Sequence, residues 1–294
     1  MYGKLINFAK KYDIMNKRLI CTILLLGFLT WHQANSETQE RENPIAVIKQ
    51  QPGMCGIFLK WGFIGDSLCS GEHEYHKKDG KKGYKDLYQY SWGQYMCRAM
   101  GATGDNYSQG GETTRGWIDH FWDNPANRNY DISAQADPKQ AYIVALGVND
   151  SNNGRVPVGD VKKDINLKNY HKNADTFAGN YAGIIQRVKS IQPDARFFVV
   201  TIPDNLTDER RSPYNEVIRT MPTLFSNVYL LDIDKYGPSY KDPEFRSRYF
   251  MGGHLTAMGY QYTAWMFLTY IDHIIRQNPK DFEQVAFIGT PYKY

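Results

Sequence analysis

Cysteine, net charge and long apolar runs are all scarce in this chain. Its 294 residues include four cysteines, and one of them, Cys21, lies in the first 36 residues. The other three, Cys55, Cys69 and Cys97, form an odd set that allows one disulfide at most. No Cys-x-x-Cys pair and no paired Cys/His spacing points to zinc. The apolar run at 19–29, broken by Cys21, Thr22 and Gly27, is too short to span a bilayer comfortably. The formal net charge of +4 is also local: residues 1–36 hold Lys4, Lys10, Lys11, Lys17 and Arg18 against Asp13. Taking five from 35 basic residues and one from 31 acidic ones leaves thirty of each. That balance lacks the cationic surplus that phosphate neutralisation needs, so no nucleic-acid partner is expected.

What the N-terminus does have is the anatomy of a secretory signal peptide. Met15-Asn16-Lys17-Arg18 is a basic start, the apolar run follows, and Ala34-Asn35-Ser36 places small residues at a cleavage site. Met15 is the better initiator, and Cys21 stands at the wrong end of the run for a lipid-modified cysteine. Residues 1–36 are therefore expected to be removed on export to a periplasmic or extracellular space, with no stable membrane anchor. Residues 37–54 are polar and without period, an arm or linker. Residues 55–294 are enough for one large domain with a full core.

Along that domain, apolar β-rich runs alternate with helical periodicity. Strands are expected near 58–64, 102–107, 140–146, 195–202 and 227–233. Helical spacing marks 84–100, ended by Gly101, then the segment carrying Trp117, Ile118, Phe121 and Trp122. Phe177, Tyr181, Ile184, Ile185, Val188 and Ile191 line one face of a third helix. Ser212-Pro213 is read as the N-cap and first turn of a fourth, and Tyr260 to Ile275 lies in a fifth. The charged stretch 71–83 reads as an exposed loop, its lysines arguing against a metal at His73 and His76. The polar segment 151–173 is long enough to be functional or a lid. Five strand–helix repeats predict a three-layer α/β/α fold around a five-stranded, mostly parallel sheet, with its ligand site outside the strands' carboxyl ends.

Ser67, in Gly65-Asp66-Ser67, stands where the first strand stops. Alone it reads equally as a capped turn. A nucleophilic serine needs a base, and the histidines divide by context. His73 and His76 sit in the charged stretch, His120 and His273 on polar helix sides, and His171 in the long loop. His254 follows two glycines and leads into the last helix, where a flexible turn can present it at the sheet edge. Oxyanion donors are available at strand ends too: a backbone N–H at Gly111 and the side-chain amide of Asn149.

The ordered blocks Gly65-Asp66-Ser67, 106–113 around Gly111, Gly147-Val148-Asn149-Asp150 and 254–260 after His254 resemble the SGNH hydrolases, also called GDSL-type esterases. The resemblance spans about 57–276. It implies a flavodoxin-like SGNH fold and ester hydrolysis with neither metal nor cofactor. Ser67 would be the nucleophile and His254 the base, and Ser67, Gly111 and Asn149 would form the oxyanion hole. One departure stands out: the aspartate usual three residues before the histidine is here Met251. Asp232, Asp234 or a backbone carbonyl could orient the imidazole instead.

Export, a neutral surface and 22 tyrosines suit a carbohydrate-facing esterase acting on a polysaccharide or small-molecule ester. The resemblance implies that exported members often remove acetyl groups from polysaccharides, and no long apolar lid helix is evident, which favours short acyl chains on a sugar. Lipid and thioester acyl groups are the alternatives that the resembling family allows. A non-catalytic sugar binder is the rival of another class, with Met251 as its supporting feature. A glycoside hydrolase needs a placed carboxylate pair, and the sequence singles none out.

Overall fold

The short run that ends at Gly65 becomes an inner strand of the main sheet. In the computed structural model, which describes residues 43–45, 48, 53–123, 134–135, 137–203 and 209–293, β1 (Lys60–Gly65) leads directly into the one-turn helix α1 (Ser67–Ser70). There follow β2 (Glu72–His76), β3 (Lys82–Asp86), α2 (Trp92–Met100), β4 (Thr103–Ser108) and α3 (Thr114–Trp117). Then come β5 (Ala141–Ala145), α4 (Val148–Ser151), α5 (Phe177–Ile191), β6 (Arg196–Val200), α6 (Ser212–Leu224) and β7 (Val228–Leu231). The last elements used below are α7 (Pro243–Tyr249), β8 (Phe250–Met251), β9 (His254–Leu255) and α8 (Ala257–Gln277). Contacts divide the chain into residues 1–46 and 47–294, and all these elements belong to the second unit. The expected leader at 1–36 and most of the expected 37–54 arm lie outside the described residues.

The five-stranded sheet has the order β4-β1-β5-β6-β7, and every pairing in it is parallel. β1 sits between β4 and β5, so both its faces must be covered, which explains a strand with almost no polar residue. Phe63 points to one face, edge-on to Trp92 of α2 at 5.3 Å, and Trp92 in turn meets Phe267 of α8 at 5.0 Å. Ile64 points to the other, into a core shared with Trp117, Tyr142, Phe177, Tyr181 and Phe197. Each such fully buried ring contributes roughly 2 kcal/mol of burial free energy. Helices on both faces give three layers, and the carboxyl ends of β1, β4 and β5 open on one edge. Among the described residues no helix is long and apolar enough to cross a membrane.

Several boundaries differ from the sequence reading. The stretch at 71–83 is no loop: β2 and β3 form an antiparallel hairpin, in register from Glu72↔Asp86 to His76↔Lys82. The helix expected from 84 starts only at Trp92, because β3 runs to Asp86 and Ser91 is the true N-cap, accepting from the Gln94 N–H. Ser212 is already the first residue of α6, with Arg211 at the cap position. The segment after Trp117 continues as a π-helix, Ile118–Asp123. Gly101 does end α2, at φ +66, its N–H bonded to the Cys97 carbonyl. Cys55, Cys69 and Cys97 are all buried free thiols.

Candidate active site

The sequence places a serine at a strand end, and the backbone there is built to expose it. Gly65 has no room for a side chain, since a Cβ would lie 2.3 Å from that of Cys69. Asp66 then caps α1, its Oδ1 accepting from the Leu68 N–H at 3.0 Å. Ser67 is the first helical residue and is half-buried. Asp66 itself is buried, its Oδ2 without a hydrogen-bond partner among the described residues, and burial pushes its carboxyl up to about 7.

The glycine and asparagine blocks are tied to each other. Gly111 adopts φ +78, a left-handed backbone in which a β-carbon would be strained although nothing lies near it. Asn149, on α4 at the end of β5, donates through Nδ2 to the Glu112 carbonyl at 3.0 Å. Its neighbour Asp150 is fully buried and accepts from the Thr114 N–H at 3.0 Å and the Thr114 hydroxyl at 2.6 Å. Glu112 is held by its own contacts, with His120 Nδ1 2.9 Å and Gln109 Nε2 2.7 Å from Oε2. His120, assigned to a polar helix side by its sequence context, is thus a partner of the glycine block.

His254 reaches the same edge from a different element. It lies on β9, opposite Met251 of β8 across a Gly252-Gly253 turn, and β9 packs on α1, which begins with Ser67. Tyr260 links the pieces, its hydroxyl donating to the Glu72 carbonyl at 2.6 Å with the Ser67 carbonyl at 3.5 Å. Ser67, Gly111, Asn149 and His254 are therefore all carried to one edge. No hydrogen bond joins Ser67 Oγ to His254 among the described residues. The groups at the imidazole are instead two glutamates of β2, which sequence patterning assigned to a solvated loop. Nε2 lies 3.1 Å from Glu72 Oε1, and Nδ1 lies 3.7 Å from Glu74 Oε1. Burial holds the His254 pKa below its ordinary value, with Glu74 opposing, which favours the uncharged ring.

The two aspartates considered as orienting acids are engaged elsewhere. Asp232 accepts from Arg219 Nε at 3.0 Å and Nη2 at 2.9 Å, and Asp234 accepts from the same Nη2 at 2.7 Å. Thr201 adds a hydroxyl contact to Asp232 at 3.2 Å. They form a buried cluster at the end of β7. His73 turns inward against Tyr260, 5.3 Å between ring centroids, while His171 meets Tyr170 at a tilt of 37° in the long segment. Among the described residues no group of three or more His, Cys, Asp or Glu could hold a metal ion.

A small apolar cavity of about 40 Å³ lies at the same edge. Asp66 and Leu68, which flank Ser67, line it together with Ala145, Val148, Ile202 and Leu255. Exposed tyrosines stand on or beside the hairpin: Tyr75 is 48 %, Tyr84 52 % and Tyr90 50 % exposed. Tyr84 meets His254 edge-on, with centroids 5.6 Å apart.

Comparison with solved structures shows the same fold. A protein from Lactobacillus plantarum superimposes with a TM-score of 0.53 at 18% identity, over 73% of this chain and 97% of that one. A family two carbohydrate esterase from Clostridium thermocellum, in complex with cellohexaose, gives a TM-score of 0.50 at 15% identity, over 76% of this chain and 65% of that one. No curated protein matches the sequence. A family profile does, that of the GDSL-like Lipase/Acylhydrolase family, over residues 63–262, which contain every block just described. The chain belongs to that family, and it is a carboxylic ester hydrolase.

Proposed function

We propose that the protein is an exported esterase that removes short acyl groups, above all acetyl, from carbohydrate by a Ser67–His254 mechanism. The observation that carries the mechanism is the tie between Asn149 and the glycine block. It holds an amide donor and the Gly111 backbone on the edge where Ser67 emerges. Ser67 Oγ would attack the acyl carbon while His254 takes its proton. The N–H groups of Ser67 and Gly111 and the Asn149 amide would hold the oxyanion. His254 would return the proton to the departing alcohol as the C–O bond breaks, leaving an acyl-Ser67. Water activated by His254 would then release the acid and restore the hydroxyl.

The small cavity beside Ser67 favours a short acyl group over a long chain, and the exposed tyrosines offer flat faces to a sugar ring. Export is supported by the leader-like sequence of residues 15–36. A fluorophosphonate probe should label Ser67, and Ser67→Ala should abolish acetate release from acetylated glycans, by on the order of 10⁶-fold as in serine proteases. Wild-type protein that neither labels nor releases acetate, yet binds the same glycans, would be a sugar-binding relative instead. Release of long-chain fatty acid in preference to acetate would overturn the substrate class alone.

A further inference from the structure

The imidazole of a Ser–His pair works best with its far nitrogen fixed, since that contact sets the tautomer and stabilises the imidazolium. Position 251, directly across the β8–β9 ladder from His254, holds a methionine and cannot do this. Asp232 and Asp234 are bound to Arg219. The carboxylates at the ring are Glu72 and Glu74, and their surroundings differ.

Glu72 faces the cleft. One oxygen is 3.1 Å from His254 Nε2, and the other lies where a β-carbon on Gly110 would come within 1.9 Å of it. Nε2 therefore points toward the glycine block, the side on which an ester carbonyl would bind. Nδ1 is left as the far nitrogen, and it is the one beside Glu74.

Glu74 sits in a built seat. It is only 9 % exposed, its Oε1 accepts from the Gly253 N–H at 2.6 Å, and its Oε2 accepts from Lys82 Nζ at 3.1 Å. A β-carbon at Gly252 would fall 2.0 Å from Oε2, so the glycine pair before His254 makes room for this carboxylate. Gly252 also needs its glycine for a φ of +65. The Gly253 and Lys82 contacts hold the Glu74 carboxyl below its ordinary range and so keep it anionic. The other charged groups around the pair are Glu72, Asp86 and His73.

We propose that Glu74, supplied by the β2–β3 hairpin, is the positioning residue for His254, in place of the aspartate that is absent at position 251. Its Oε1 both fixes the turn that carries His254, through the Gly253 N–H, and lies 3.7 Å from Nδ1, a buried nitrogen with no hydrogen-bond partner among the described residues. The assignment rests on the Ser67–His254 reading, and the test separates the two.

Glu74→Gln, which keeps the shape and removes the charge, should lower kcat by roughly 10²- to 10⁴-fold with KM little changed. Loss of the anion should also lower the His254 pKa by about one pH unit, moving the acid limb of kcat/KM downward. The same displacement should be seen in an NMR titration of the His254 ring, which needs no turnover. In the Glu74→Gln background, Met251→Asp should restore part of kcat and bring the limb back. An unchanged kcat and an unchanged His254 titration in a folded Glu74→Gln protein would overturn the assignment. So would an equal loss of kcat with an unmoved titration, since that is the signature of a merely structural hairpin. If wild-type Ser67 resists the fluorophosphonate probe, the hydrolytic mechanism fails, while the His254 titration still decides whether Glu74 governs the ring.

Discussion

The Asn149 side-chain amide donates to the main-chain carbonyl of Glu112, 3.0 Å away and across a gap of 37 residues in sequence. An amide nitrogen has two hydrogens. One is used in this bond, which fixes the amide plane against the glycine block and leaves the other to point away from Glu112. Asp150, the next residue, ties the same two blocks through Thr114. In the proposed mechanism this amide would be an oxyanion donor already oriented before any substrate arrives.

Removing that donor should therefore cost turnover and little affinity. Asn149→Ala is expected to lower kcat roughly 10²- to 10³-fold, as loss of one oxyanion donor does in other hydrolases. Steady-state kinetics on an acetyl ester would check this, with KM within the wild-type range. A proportionate rise in KM at constant kcat would mean that Asn149 binds the ground state instead.

Asp66 links the nucleophile turn to stability. Its folded-state carboxyl is raised from 3.8 to about 7, chiefly by burial, with Asp150 and Glu72 adding and the Leu68 N–H and Arg211 opposing. A raised pKa means that the folded state binds this proton more tightly than the unfolded state. Stability from this group is full below about pH 4 and is lost as pH rises through about 7. The loss is on the order of 4 kcal/mol at 1.36 kcal/mol per pKa unit. Asp66→Asn keeps an oxygen to cap Leu68 and has no charge to bury. It should match wild type near pH 4 and melt at higher temperature near pH 8, in scanning calorimetry at a series of pH values. Parallel Tm-against-pH curves for the two proteins would refute the burial account.

How far the sequence revealed the site follows from what each residue depends on. Ser67, Gly111, Asn149 and His254, the residues of the proposed site, lie at element ends, where local composition marks a turn, so linear order alone was enough to nominate them. Glu74 could not be found this way. Its role depends on a hairpin folding back 180 residues away in sequence onto His254, and its lysine-rich neighbours mark the stretch as solvated. One signal was present: Asp79-Gly80 between two alternating segments is a hairpin turn, and the alternation puts Glu72, Glu74, Lys82 and Tyr84 on one face. The β5 and β6 runs were legible because strands buried on both faces are apolar without interruption. The start of α2 was not, because Leu87 and Tyr88 mimic helical spacing while β3 and a 3-10 turn occupy that stretch.

Asp232 and Asp234 offer the complementary control for Glu74. Both are buried, and Arg219 bridges them with its side chain only 20 % exposed. Removing one member of such a cluster leaves the remaining charges poorly compensated, which costs roughly 3 kcal/mol in buried pairs. Arg219→Met should therefore lower Tm and the denaturant midpoint. Asp232→Asn should do so less, because it removes a charge and leaves Arg219 its contacts to Asp234 and Glu216. Neither change should alter kcat or the acid limb of the pH profile below the melting transition, since the aspartates serve Arg219 and not the imidazole. A downward displacement of that limb in Asp232→Asn, comparable to the one expected for Glu74→Gln, would show that the end of β7 reaches His254 electrostatically. The orienting charge would then be shared between the hairpin and the sheet.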